Sequence, residues 1–237
     1  MSRSAAFFDL DKTILAKSSS LAFARPFYKG GLLGRADVLK SAYAQFSYVA
    51  SGADHDQLEY MRKYMSDLVS GWDVDTVKQI VSETLDEIVD PMVYEEAVDL
   101  IAEHKAAGRD VIIISSSGTE VVEPIGERLG VDRAIGTQVA IVDGRYTGEI
   151  VFYAYGEGKA VAMRALAEEN GYDLAECYSY TDSATDLPLE SFDLAGLLNP
   201  GLQAQIPADK RPLYEIAAHP DADSLIESQE LKDWITA

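Results

Sequence analysis

A short apolar run close to the N-terminus, residues 5–8, is followed at once by two carboxylates, Asp9 and Asp11. The run has the length of a buried β-strand. Because side chains alternate between the two faces of a strand, residues two apart leave its end on the same side. Two convergent carboxylates can bind a hard divalent cation, or they can act as a nucleophile and a general acid. The pattern therefore predicts a strand that ends in a reactive acidic site.

Two further segments that we interpret as strands also end in polar clusters. Residues 111–114 lead into three serines and a glycine, and residues 178–181 lead into Asp182 and Asp186. Strands that alternate with helical patterns predict an α/β fold with a mainly parallel sheet. Ligands of such sheets bind beyond the carboxyl ends of the strands. The polar clusters should therefore meet at one edge of the sheet.

The same patterns set the expected elements. We predict core strands over residues 5–8, 111–115, 134–135, 177–180 and 194–197, and helices over 94–107, 120–129, 159–170 and 187–190. Gly108 and Gly130 fall where helices are expected to end. Asp143 and Gly144 lie between two expected strands, residues 139–142 and 145–150, a pattern that predicts a two-residue hairpin.

The segment between the first two clusters has a different pattern. Apolar residues recur at helical spacing from Val74 to Ile88, and Asp73 or Asp75 could cap that helix. We therefore expect a helical insert. Its position beside Asp11 would suit a lid over the site, and the alternative is an insert that only packs on the core.

Composition limits the choice of partner and compartment. The 237 residues carry a formal net charge of −20, which argues against a nucleic acid or an anionic membrane surface as partner. With one cysteine, Cys177, there is no internal disulfide framework. We find no signal peptide and no apolar run of about 20 residues, and therefore expect a soluble, cytoplasmic protein without a membrane span. The three histidines have no ligand spacing and are expected to be structural or exposed: His55, His104 and His219.

Four polar clusters follow one another along the chain. In order they are Asp9-x-Asp11, Ser115, Lys159 and Asp182-x-x-x-Asp186. This order resembles the haloacid dehalogenase superfamily of phosphohydrolases, and most closely its phosphoserine-phosphatase-like branch, subfamily IB. The resemblance implies an α/β Rossmann-like, mainly parallel sheet with helices on both faces, plus an inserted helical cap of the C1 type. It divides the chain into a core domain, residues 1–16 and 92–237, and a cap domain, residues 17–91.

The resemblance also implies a role for each cluster. Asp9 would attack phosphorus, and Asp11 would protonate the leaving oxygen and then activate water. Lys159 would neutralise the negative charge of Asp9 and of the phosphoryl group. Ser115 and Ser116 would bind phosphoryl oxygens, and Ser117 is interpreted as a loop residue.

Two further expectations concern the first loop and the metal. Thr13 is predicted to order the first loop and is counted with the phosphate-binding residues. Mg²⁺ would be held by Asp9, by the backbone carbonyl of Asp11 and by Asp182, with Asp186 acting through water.

The expected activity is Mg²⁺-dependent hydrolysis of a small organic phosphate monoester. The alternatives are a phosphotransferase or mutase of the same family, and a non-catalytic phosphate-binding module. Phosphoserine phosphatases carry a Glu that binds the substrate ammonium at the position of Ser18, so we do not expect phosphoserine to be the preferred substrate. Arg62 is the nearest counterpart of their cap arginine, and aromatic residues of the insert could line a pocket for a less polar leaving group. The sequence carries no signal of oligomeric state.

Overall fold

The structure, a computed structural model, describes residues 3–34 and 55–181, with side chains of the second range from residue 62 onward. Within these ranges the strands are β1 (Ala5–Phe8), β2 (Asp110–Gly118), β3 (Arg133–Val142), β4 (Arg145–Phe152) and β5 (Tyr178–Tyr180). The α-helices are α1 (Ser19–Ala22), α2 (Ala24–Lys29), α3 (His55–Val69), α4 (Val74–Val89), α5 (Glu95–Ala106), α6 (Thr119–Leu129) and α7 (Glu157–Asn170). Short 3₁₀ turns cover Asp90–Met92 and Leu174–Glu176. The strand predicted over 194–197 and the helix predicted over 187–190 lie outside the described residues.

The five strands form one sheet in the order β4-β3-β2-β1-β5. β1 pairs in parallel with both β2 and β5, β2 pairs in parallel with β3, and β4 returns antiparallel to β3. The mainly parallel α/β fold is therefore confirmed. Because β1 lies between β2 and β5, the residues that follow these three strands meet at one edge of the sheet.

Helices cover both faces of the sheet, as the strand alternation requires. On one face Phe7 and Ile112 pack against Met163 and Leu166 of α7. On the other face Phe8, Ile113 and the apolar sides of α5 and α6 form a larger core. That core continues into the insert, since buried residues of α2 and α4 belong to the same cluster: Phe27, Val77 and Val81.

The local predictions are largely confirmed, and the main differences are in strand length. Asp73 caps α4 by accepting the Thr76 N–H at 2.9 Å. The hairpin turns at Asp143 and Gly144, which both have positive φ, as a tight two-residue turn requires. β2 continues to Gly118, beyond the predicted end at residue 115. β3 is one strand of 10 residues, where the sequence pattern indicated two short pieces. No helix within residues 3–34 and 55–181 is long and apolar enough to cross a membrane.

Candidate active site

Asp9 is the first residue after β1, and it forms a buried ion pair with Lys159. The Asp9 N–H donates to the Tyr180 carbonyl at 2.8 Å, so the pairing of β1 with β5 continues into the site. The Lys159 Nζ lies 2.7 Å from Asp9 Oδ1, and the two side chains are only 4% and 9% exposed. Breaking such a buried pair by removing one partner is costly, because an uncompensated charge is left behind. The pair therefore fixes the carboxylate at the edge of the sheet.

Close packing at the start of α7 determines where Lys159 lies. α7 begins at Glu157, and Lys159 is in its first turn, where a cation opposes the helix dipole. A Cβ at Gly158 would lie 1.9 Å from the Tyr153 carbonyl oxygen, so no larger residue fits there. Gly158 thus lets the helix approach the preceding chain closely enough to bring Lys159 to Asp9.

The Asp11 carboxylate is held by groups from two elements. Its Oδ1 accepts the backbone N–H of Ser19 at 2.9 Å, and its Oδ2 accepts the Ser117 hydroxyl at 3.4 Å. Ser117 Oγ also lies 2.7 Å from Ser19 Oγ and 3.0 Å from Ser20 Oγ. A hydroxyl has one hydrogen and two lone pairs, so Ser117 can donate to Asp11 while it accepts from both serines of α1.

This hydroxyl network includes residues that the sequence did not single out. Ser117 is part of β2 and is 4% exposed, whereas the sequence analysis interpreted it as a loop residue. Ser19 is fully buried. The only sequence signal for Ser117 was its spacing of two from Ser115, which places both on one face of a strand.

The predicted phosphate-binding residues differ in their surroundings. Ser115 is fully buried, and its hydroxyl accepts the Ser117 N–H at 3.2 Å. The Ser116 side chain is exposed, and its carbonyl accepts the Thr137 hydroxyl at 2.8 Å. The Thr13 hydroxyl is buried without a hydrogen-bond partner among the described residues. The loop that carries both aspartates thus contains a buried hydroxyl without a hydrogen-bond partner among the described residues.

The residues predicted to hold Mg²⁺ are described only in part. Asp9 offers a carboxylate and Asp11 its expected backbone carbonyl, both oxygen donors that Mg²⁺ accepts, whereas Asp182 and Asp186 lie outside the described residues. Within the described ranges no group of three or more His, Cys, Asp or Glu residues could hold a metal ion. The chemistry of the two described donors fits Mg²⁺.

Behind β1 lies a buried polar network that no spacing in the sequence indicated. His104 is 3% exposed. Its Nδ1 accepts from Arg109 Nε at 2.8 Å, so its Nε2 carries the hydrogen and donates to Tyr180 Oη at 2.8 Å. Burial, and secondarily the charge of Arg109, lower the pKa of His104 to about 4. His104 is therefore a structural histidine, as expected, while the His55 and His219 side chains lie outside the description.

Arg62, the nearest counterpart of a cap arginine, is on α3. Its guanidinium lies 5.8 Å from the centre of the Tyr153 ring, which is a cation–π distance. Tyr153 in turn stacks on Tyr155, with ring centres 5.7 Å apart. Arg62 therefore lies beside the segment that leads into α7.

Comparison with known proteins agrees with this fold. The family model of haloacid dehalogenase-like hydrolases matches residues 6–190. Over 200 residues the chain is 58% identical to the inhibition of morphological differentiation protein of Streptomyces azureus, an alignment that covers 84% of this chain and 72% of that protein. Over 199 residues it is 57% identical to a probable phosphatase of Mycobacterium tuberculosis, with 84% and 69% covered.

A solved structure shows the same fold. A phospho-aspartyl intermediate analogue of phosphoserine phosphatase superposes with a TM-score of 0.53 at 20% identity, over 76% of this chain and 78% of that one. The family match, the two relatives and the shared fold agree with the resemblance read from the motifs. The chain is an enzyme of the haloacid dehalogenase type and belongs to the haloacid dehalogenase-like hydrolase family.

Proposed function

We propose that this enzyme is a Mg²⁺-dependent phosphatase that hydrolyses a small organic phosphate monoester through an aspartyl-phosphate on Asp9. The observation that carries the proposal is the buried contact of 2.7 Å between Lys159 and Asp9. Such a pair presents a carboxylate and a cation to the same phosphoryl group. The similarity to a probable phosphatase supports the same reaction class.

In the first step an Asp9 oxygen forms a bond to phosphorus, and the bond from phosphorus to the leaving oxygen breaks. The leaving oxygen takes a proton from Asp11, so the alcohol departs neutral. In the second step a water molecule attacks phosphorus, Asp11 accepts its proton, and the bond between Asp9 and phosphorus breaks. Free phosphate and the regenerated carboxylate remain.

The surrounding residues hold this chemistry in place. Lys159 offsets the negative charge of Asp9 and of the phosphoryl oxygens in a site where water is largely excluded. The Ser19 N–H and the Ser117 hydroxyl orient Asp11. When bound, Mg²⁺ would be held by Asp9, Asp11, Asp182 and Asp186, and it would supply positive charge to the transferring group.

The proposed cap is the insert, residues 17–91. Its α1 is anchored to the site, since the Ser19 N–H donates to Asp11. The turn that follows α3 is tied to the β3–β4 hairpin, since the Ser70 hydroxyl donates to the Thr147 carbonyl at 3.2 Å and the Gly71 N–H donates to the Tyr146 carbonyl at 2.8 Å. The described parts of the insert therefore contact both the first loop and the hairpin, a position that suits a cover over the leaving group.

The proposal is tested by phosphate release from a panel of phosphate monoesters with Mg²⁺. Asp9→Asn should abolish release, since an amide cannot form the acyl-phosphate. It should also lower the melting temperature, because the buried Lys159 loses its counter-charge, and circular dichroism checks that the variant is folded at the assay temperature. The matched control is Asp67→Asn, an exposed carboxylate on α3, which should retain full activity. Asp9→Asn activity within tenfold of wild type would refute the mechanism, and transfer to an acceptor without free phosphate would identify a phosphotransferase.

A further inference from the structure

A cavity of about 160 Å³ lies between the insert and the sheet. It is partly open and is lined by residues of α1 and α2, of α3 and the start of α4, of the first turn of α6 and of the β3–β4 hairpin. Most of the side chains that line it are apolar, among them Leu21, Phe27, Leu68, Trp72 and Val121. An apolar cavity of about 150 Å³ can hold a benzene molecule, so this one is large enough for an organic group of that size.

The cavity adjoins the residues that hold Asp11. Ser20 and Gly118 are part of its wall. Ser20 Oγ lies 3.0 Å from Ser117 Oγ, and Ser117 Oγ lies 3.4 Å from Asp11 Oδ2. One layer of serine hydroxyls therefore joins the cavity wall to the carboxylate that would protonate the leaving oxygen. A group attached to that oxygen would have the cavity within reach.

The charge of the residues that line the cavity restricts which leaving groups it can hold. Among the described residues that line the cavity, Glu120 is the one charged side chain, and none is Lys or Arg. Next to it lies the buried Tyr146 hydroxyl, whose pKa is raised by burial and, secondarily, by a hydrogen bond with Glu120 and by the charge of that carboxylate. Arg62, which could have met a substrate carboxylate, lies against Tyr153 and is not part of the wall. An acidic leaving group would find no counter-charge here, and an unpaired buried charge is costly.

We propose that this cavity receives the leaving group of the phosphate ester, and that the leaving group is apolar, of up to about the size of a benzene ring, and free of acidic groups. A hydroxyl or amine on it would be met by Glu120. The inference rests on the proposed phosphatase function and specifies its substrate class. Phosphoserine phosphatases carry their ammonium-binding Glu at the position of Ser18. In this chain the carboxylate that lines the cavity is Glu120, which is on α6.

The first test compares kcat/KM across n-alkyl phosphates from methyl to hexyl, phenethyl phosphate and phosphoserine. Each buried methylene should raise kcat/KM about fourfold until the cavity is full, and phosphoserine should rank below the apolar esters. A series that is flat with chain length, or phosphoserine at the top, overturns the proposal.

Two pairs of variants localise the effect. Ala24→Leu adds carbons to the cavity wall, whereas Ala106→Leu adds the same carbons at an exposed helix end. Ala24→Leu should reduce kcat/KM for hexyl and phenethyl phosphate at least tenfold and spare methyl phosphate, while Ala106→Leu should leave kcat/KM for all three esters unchanged.

Glu120→Gln should lower kcat/KM for aminohexyl phosphate relative to hexyl phosphate, and Glu123→Gln, exposed on the same helix, should not. Equal losses for all esters, or equal effects within each pair, contradict the assignment.

Calorimetric binding of methylphosphonate and hexylphosphonate, which are not hydrolysed, separates this inference from the proposed function. If hexylphosphonate binds more tightly than methylphosphonate and Ala24→Leu removes the difference, the cavity assignment is supported. If at the same time no ester releases phosphate, only the phosphatase function is refuted. Phosphate release without a preference for hexyl over methyl, in binding or in turnover, would refute the cavity alone. Circular dichroism melts of Ala24→Leu and Glu120→Gln verify that the variants are folded.

Discussion

Ser117 is the centre of the hydroxyl network beside Asp11, and a sequence pattern could not reveal that role. Serines after an apolar run are typical of a loop as much as of a site. The contacts from Ser117 to Ser19 and Ser20 join residues that are 98 and 97 positions apart. Asp9 and Lys159 are even farther apart in the chain, by 150 positions, yet they could be predicted because both belong to a recognised order of motifs. No such motif indicates the tertiary contacts of Ser117.

At this scale the first prediction concerns Ser117→Ala. Loss of the hydroxyl leaves Asp11 with one fewer hydrogen-bond donor. A weak hydrogen bond to a charged group contributes about 1.5 kcal/mol, which corresponds to roughly a tenfold change in rate. We expect kcat for an alkyl phosphate to fall about tenfold, with less effect on an activated aryl phosphate, whose leaving group needs no proton. Steady-state kinetics on both substrates measures this ratio. The exposed Ser82→Ala, on α4, should leave both rates unchanged, and equal losses on both substrates for Ser117→Ala would contradict a positioning role.

At the scale of the element, close approaches of backbone determine where strands and helices end. The pattern of apolar residues indicated two short pieces of β3, because Gly136 and Thr137 interrupt the apolar run. The strand continues because Gly136 lets the chain pass Thr119, whose backbone nitrogen would lie 2.6 Å from a Cβ at that position. The Thr137 hydroxyl also bonds to the Ser116 carbonyl. Neither contact can be predicted from propensity, since one depends on the start of α6 and the other on the neighbouring strand β2.

The start of α7 is a second such approach. Gly158→Ala would place a Cβ 1.9 Å from the Tyr153 carbonyl oxygen, and a backbone atom cannot move aside as a flexible side chain does. The helix start must shift, and Lys159 shifts with it. We expect the variant to lose roughly 1–3 kcal/mol of unfolding free energy, the usual cost of overpacking, and most of its phosphate release. Urea denaturation and the activity assay test this, with the exposed Glu157→Ala as control. Wild-type stability and activity in Gly158→Ala would refute the steric argument.

His104 connects α5 to β5, and its burial makes that connection sensitive to pH. Its pKa is about 4 in the folded chain and near 6.5 when unfolded, so the folded state binds fewer protons. Its contribution to stability is complete above pH 6.5 and falls as the pH drops toward 4, by about 3 kcal/mol at pH 4. In His104→Phe this contribution is missing at every pH. The difference in unfolding free energy between wild type and variant should therefore shrink between pH 7 and pH 4, and a constant difference would show that His104 does not titrate in this way.

At the scale of the whole molecule, the sheet order places a cation where this acidic protein would bind the proposed phosphate ester. The chain carries 40 acidic and 20 basic residues, yet the edge of the sheet has the Lys159 ammonium buried beside Asp9. The strand order brings together clusters that are more than a hundred residues apart, and alternation of strands and helices was enough to predict this. The size and charge of the cavity could not be predicted, because they depend on side chains of several insert helices and of the hairpin at once.

The central claim is that Asp9 becomes phosphorylated during turnover. The direct measurement is acid quenching of the enzyme during hydrolysis of an activated aryl phosphate, followed by peptide mass spectrometry. Asp11→Asn is the background of choice, because loss of the base that activates water should make the intermediate accumulate. The account predicts one added phosphoryl group on the peptide that contains Asp9, and none when Asp9→Asn is combined with it. Phosphate release in the wild type with no phosphoryl group on Asp9, or with one on a different residue, would contradict it.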